Sequence, residues 1–149
     1  MKAIIKDQND TMCRYEDAIY MQSGNVFLIE GELDIGYKVY ENVNIEDLIE
    51  SEPDGWTHIY FDVSFENSQY IAYCGETGYG GAGFVVLFNK SNRLYEWLIH
   101  ISNCNNLHTI KIIDENIIVN SDEPYPDGTI FTIPIKNPEK FKIQNKYNT

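Results

Sequence analysis

Apolar and polar residues alternate with a period of two through residues 57–66. Ile59, Phe61, Val63 and Phe65 fall on one side, and His58, Tyr60, Asp62, Ser64 and Glu66 on the other. Such alternation predicts a half-buried antiparallel strand with an acidic outer face. Residues 129–135 alternate in the same way, with Phe131, Ile133 and Ile135 inward. Pro134 has no amide proton, so it marks this segment as an edge strand or a bulge. Further apolar runs at 3–6, 13–21, 25–33, 37–43 and 69–74 read as strands, parted by turn residues such as Gln22-Ser23-Gly24 and Asp34-Ile35-Gly36. Residues 84–88 and Leu94–Ile101 predict a hairpin around 89–93, and 109–113 with 117–119 a second one around Asp114-Glu115-Asn116. Bulky apolar residues on both faces make Leu94–Ile101 a central strand. A last short strand is expected at 141–143.

One segment has helical spacing. Ile45, Leu48 and Ile49 recur at i, i+3 and i+4, which predicts a helix over Ile45–Ser51 with that stripe inward. Asn44 is placed to cap it, Asp47 completes a capping-box spacing, and Pro53-Asp54-Gly55 ends it as a turn. With 149 residues, nine to eleven short strands and one short helix, the chain reads as a single-domain, mainly β, antiparallel protein. Sandwich, barrel and partial-propeller arrangements all fit turns spaced about 8–12 residues apart. Residues 83–121 hold four strands, as one propeller blade does, but lack its signature residues and are too few for a ring. Crossover helices are missing, which argues against a parallel β/α fold.

The motifs that suggest chemistry are weak. Gly78-Tyr-Gly80-Gly-Ala-Gly83 matches the dinucleotide fingerprint in letters, yet it runs into Phe84-Val-Val-Leu-Phe, a strand, where that motif needs a helix N-terminus. His100, Cys104 and His108 have the spacing of zinc ligands on one helix, but His100 ends a predicted strand and a turn follows. Neither a nucleophile triad nor an activated thiol is recognisable. The expectation is therefore no enzyme, no cofactor and no metal. Cys13, Cys74 and Cys104 are three, an odd number outside any C-x-x-C, and read as reduced thiols in a cytoplasmic protein. No apolar run is long enough for a membrane span or a leader peptide, so no membrane association is expected.

Charge changes the picture more than any motif. The chain carries 23 acids against 11 Lys and Arg, a net charge of −12. All of that excess lies in residues 1–80, with sixteen acids and four bases; residues 81–149 hold seven of each. Between Lys38 and Lys90 there are nine acids and no base. Such a field repels nucleic acid and attracts basic proteins, although acidity also serves solubility alone. Glu46, Asp47 and Glu50 face outward on the helix, and Glu46 with Glu50 is a like-charge i, i+4 pair costing roughly 0.2–0.5 kcal/mol. Glu52 and Asp54 follow, and Asp62 and Glu66 share the outer face of the next strand. If the turn at 53–55 folds that strand beside the helix, these groups form one contiguous acidic surface. Tyr60, and Tyr79 at the tip of the glycine-rich run, are candidate aromatic anchors for a partner; Trp56 reads as core.

This profile of a small, acidic, mainly β chain without catalytic residues resembles the immunity proteins of bacterial toxin systems, including contact-dependent inhibition and polymorphic toxins. Its Ile, Asn, Lys and Tyr richness, as in Asn-Lys-Ser-Asn-Arg and Ile-Lys-Ile-Ile-Asp-Glu-Asn, suits an AT-rich bacterial genome. The resemblance implies a one-to-one complex with a cognate toxin domain, often a basic nuclease, whose active site the acidic face occupies in place of nucleic acid. The alternative expectation is a non-catalytic β-sheet module for binding a ligand or scaffolding.

Overall fold

The computed structural model describes residues 1–7, 10–32, 36–78, 81–102, 104, 107–121 and 128–145. Fourteen strands build three antiparallel sheets among these residues. The first holds β1 (Ile4–Asp7), β2 (Asp10–Arg14) and β6 (Trp56–His58), in that order. The second has seven strands: β3 (Ala18–Met21), β4 (Asn25–Glu32), β5 (Gly36–Asn44), β7 (Val63–Glu66), β8 (Tyr70–Glu76), β9 (Gly83–Asn89) and β10 (Leu94–Ile101). Their order is β5-β4-β3-β10-β9-β8-β7. The third is a meander of β11 (Leu107–Ile113), β12 (Asn116–Ser121), β13 (Thr129–Pro134) and β14 (Lys142–Asn145). The mainly β expectation holds.

The seven-stranded sheet is the middle of three layers. Ile19, Val85, Leu87, Trp97 and Ile99 pack on its one face against Ile110, Val119, Phe131 and Ile133 of the third sheet. Tyr20, Phe84, Val86 and Leu98, their neighbours in sequence, pack on its other face with Cys13, Ile45 and Ile59. Because side chains alternate across a strand, burial on both faces demands an unbroken apolar run. That is why β9 and β10 read as continuous, and β10 stands fourth of seven, as the sequence predicts.

Four expectations need correction. Residues 13–21 are not one strand: β2 belongs to the first sheet and β3 to the second, and Tyr15-Glu16-Asp17 crosses between them. Residues 57–66 divide in the same way into β6 and β7, so the apolar alternation continues through a break. Residues 83–121 do not form a blade, because β9 and β10 lie in the second sheet while β11 and β12 lie in the third. β13 is interior rather than an edge. Pro134 is tolerated at its end, where Ile135 N–H donates to Glu115 and pairing with β14 already stops at Thr132. The helix α1 (Ile45–Ser51) forms as expected, with Asn44 Oδ1 accepting the Glu46 amide at 2.8 Å. Its Ile45 is buried, and Leu48 and Ile49 pack beside it.

Candidate functional site

The nine residues expected at a partner surface fall in separate places. On α1 and just past it, Glu46, Asp47, Glu50, Glu52 and Asp54 are exposed. Glu46 takes a hydrogen bond from Lys2 Nζ, and that bond holds its carboxyl below the ordinary range. The sequence gap in bases from 39 to 89 is thus closed at this point by a residue from the other end of the chain. Asp47, Glu50, Glu52 and Asp54 have no cation within salt-bridge distance among the described residues.

Tyr60 and Asp62 form a second group. They lie on the link between β6 and β7, not on a strand. The Tyr60 amide donates to Glu76, and Asp62 Oδ2 accepts the Glu76 amide at 3.3 Å. Tyr60 is 52% exposed and Phe61 38%, although Phe61 was expected inward. Its ring stands edge-on to Tyr73 and Phe84, with centroids 4.9 and 5.5 Å away.

Glu66 is apart from both. It lies on β7, the strand at one edge of the second sheet, whereas α1 follows β5 at the other edge, and its Ile45 amide bonds to Gly24 in the β3–β4 turn. Six inter-strand steps separate the two edges, roughly 29 Å along the sheet. Glu66 also accepts from Lys90 at 2.8 Å. The single contiguous field expected from the turn at 53–55 is therefore divided, because the chain changes sheets between β6 and β7. Tyr79 lies outside the described residues.

Residues that the charge pattern did not single out surround the helix end. β5 is paired to β4 with a bulge: Leu28 faces Glu41 but Ile29 faces Val39, so Tyr40 is the extra residue. Tyr37 and Val39 consequently pack toward the third sheet, while Val43 packs toward α1. A bulge re-aims side chains in this manner. Tyr40, 53% exposed, lines a groove of about 470 Å³ together with Tyr15, Glu16, Asp17, Leu48 and Glu52.

Two of the groove's acids are held from behind. Glu16 accepts from Arg14 Nε at 2.9 Å and from Nη2 at 2.5 Å, and Arg14 is fully buried. Asp17 Oδ1 accepts both the amide and the hydroxyl of Ser102 at 2.8 Å, and His100 Nδ1 lies 3.2 Å from the same oxygen. This Asp-His-Ser set does not have the order of a nucleophilic triad, since the serine donates to the carboxylate and not to the imidazole. Asp17 instead ties the sheet crossing at 15–17 to the end of β10.

The thiols and the zinc-like spacing are also resolved. Cys13, Cys74 and Cys104 form no disulfide among the described residues, and all three are buried. Burial pushes the Cys13 thiol far up, and burial with the nearby Asp62 charge pushes Cys74 up to about 12. Neither is a thiolate nucleophile at neutral pH. His100 is buried on β10 and His108 is exposed on β11, and no group of three potential ligands is arranged around a metal position among the described residues. The glycine run enters the strand β9, as its sequence predicts. No helix among the described residues is long and apolar enough to cross a membrane. The chain matches no family model, no curated protein and no solved structure.

Proposed function

We propose that this chain is a stoichiometric inhibitor of the immunity-protein type, which binds a basic bacterial toxin domain, of the nuclease kind, through the acidic surface of α1 and the turn after it. The observation that carries the reading is the set Asp47, Glu50, Glu52 and Asp54: four exposed carboxylates within eight residues, without a cation in salt-bridge distance among the described residues. A solvated helix face ordinarily interleaves Lys with such acids. Leaving them unopposed maintains a field that steers a basic partner and raises the association rate. Tyr40 and Tyr60 supply exposed aromatic surface of the type that anchors interfaces. The binding needs no catalytic group, cofactor or metal in this chain, and the same field keeps nucleic acid away.

The test is co-expression with the toxic gene adjacent to this one, followed by association kinetics on the purified pair. The triple substitution Asp47→Lys, Glu50→Lys, Glu52→Lys leaves the fold intact, slows association at least tenfold at low salt and reduces protection of cells. Full protection by the variant, with an unchanged salt dependence, overturns the reading.

A further inference from the structure

We infer that the groove beside α1 receives a single lysine or arginine side chain of the partner, held between the Tyr40 ring and the Glu52 carboxylate. This inference rests on the function proposed above and names its contact point.

The groove differs from the rest of the acidic surface in having walls. Tyr15, Tyr40 and Leu48 give it apolar and aromatic sides, and Glu16, Asp17 and Glu52 give it an acidic rim. An aliphatic stem lies well along apolar walls while its cationic end meets charge, which is how Lys and Arg bury themselves at surfaces. An aromatic face adds cation–π attraction to the same end.

The rim is preorganised. Arg14 grips both oxygens of Glu16 from the interior, and the three polar contacts to Asp17 converge on Oδ1, leaving Oδ2 outside them. These carboxylates do not need to be ordered on binding, which lowers the entropy cost of the contact. Glu52 has no cation in salt-bridge distance among the described residues, so its charge is available to an incoming one. Tyr40, the extra residue of the β5 bulge and outside the pairing with β4, stands 53% exposed in the groove wall. Charge and shape together fit a basic side chain from a folded protein surface; an anionic or purely apolar occupant meets three carboxylates.

The probe is a capped Gly-Gly-Arg-Gly-Gly peptide, titrated against the isotope-labelled full chain by NMR, with Gly-Gly-Glu-Gly-Gly as control. The expected result is saturable shifts centred on Tyr15, Tyr40 and Glu52 with the arginine peptide only. Tyr40→Ala weakens that binding about fivefold or more, Tyr40→Phe retains it, and Glu52→Gln weakens it comparably. Tyr40 is exposed, so none of these changes removes core packing. If the arginine peptide binds but Tyr40→Ala has no effect, while Asp47→Lys with Glu50→Lys abolishes binding, the groove assignment fails and the broader acidic-surface reading stands. If the peptide does not bind and the triple lysine variant protects cells fully, both fail.

Discussion

The guanidinium of Arg14 lies 4.9 Å from the ring centroid of Trp56, fully buried, with one nitrogen, Nη1, lacking a hydrogen-bond partner among the described residues. The ring and the Glu16 carboxylate between them hold a charge that the interior would otherwise reject. Trp56 is only half-buried, and its indole N–H donates to Pro53, so its place is over this cation at the end of β6 rather than in the apolar core. Arg14→Ala leaves Glu16, which also accepts from the Tyr20 hydroxyl on β3, without its counterion. A loss of about 3–5 kcal/mol is expected. Trp56→Leu, which keeps apolar bulk but not the ring, should cost less, about 2 kcal/mol. Urea titrations of both variants check this; an Arg14→Ala change within 0.5 kcal/mol of the parent contradicts it.

Alkaline pH should destabilise the fold through its thiols. The unfolded chain releases thiol protons from about pH 9, the ordinary value, whereas Cys74 keeps its proton to about 12 and Cys13 beyond that. The folded state therefore binds more protons in this interval, and stability falls as pH rises. The contribution is complete below pH 9 and is lost progressively toward 12. Tyr20, raised well above 10.0 by burial first and then by Glu16, acts in the same direction. Denaturant midpoints measured from pH 8 to 11 should decline, and Cys74→Ala should flatten the decline. All three thiols should be unreactive to Ellman's reagent in the native protein and react together on unfolding.

Gly75 has a requirement that no other residue meets. A Cβ there would lie 1.9 Å from the Tyr60 carbonyl oxygen and 2.9 Å from Asp62 Oδ2. The first is backbone and cannot rotate away. Gly75→Ala should cost about 1–3 kcal/mol or more and loosen the link between β6 and β7. Hydrogen exchange should speed up at the Tyr60 and Glu76 amides, which this link protects. Gly78→Ala is the control, since its nearest contact would be Thr57 Oγ1 at 3.3 Å.

Two lysines separate the local acidic surface from the global charge. Lys2 is bonded to Glu46 on α1, and Lys90 to Glu66 at the opposite edge of the second sheet. Lys2→Ala and Lys90→Ala change the net charge equally. Only Lys2→Ala should speed association with a basic partner and steepen its salt dependence. Equal effects from both would mean that net charge, and not the α1 surface, governs the encounter.

Much of the local structure was legible because it depends on neighbours in sequence. Asn44 caps α1 through an amide two residues on. The hairpin of β9 and β10 is set by the turn after Asn89, whose side chain accepts the Ser91 amide and whose carbonyl accepts the Arg93 amide. β10 announced its central place because burial on both faces leaves no polar alternation to read. The acids of α1 were likewise visible as outward positions of a helical repeat.

Where a strand leaves one sheet for another was not legible. Residues 57–66 alternate without interruption in sequence, yet the chain crosses sheets at 60–62, because far along the chain Gly75 leaves room for the Tyr60 carbonyl and the Glu76 amide donates to the Asp62 carboxylate. The crossing at 15–17 depends in the same way on Ser102 binding Asp17. Composition and periodicity by themselves determined that the protein is antiparallel β with one acidic helix and an uneven charge. Only tertiary structure decided which acids share a surface. It put Lys2 against Glu46, carried Glu66 to the far edge and set Tyr40, the extra residue of a bulge, in a groove wall. The physical reason is that alternation reports only whether a side chain faces inward, while the partner of each strand and each charge is chosen by contacts between residues distant in sequence.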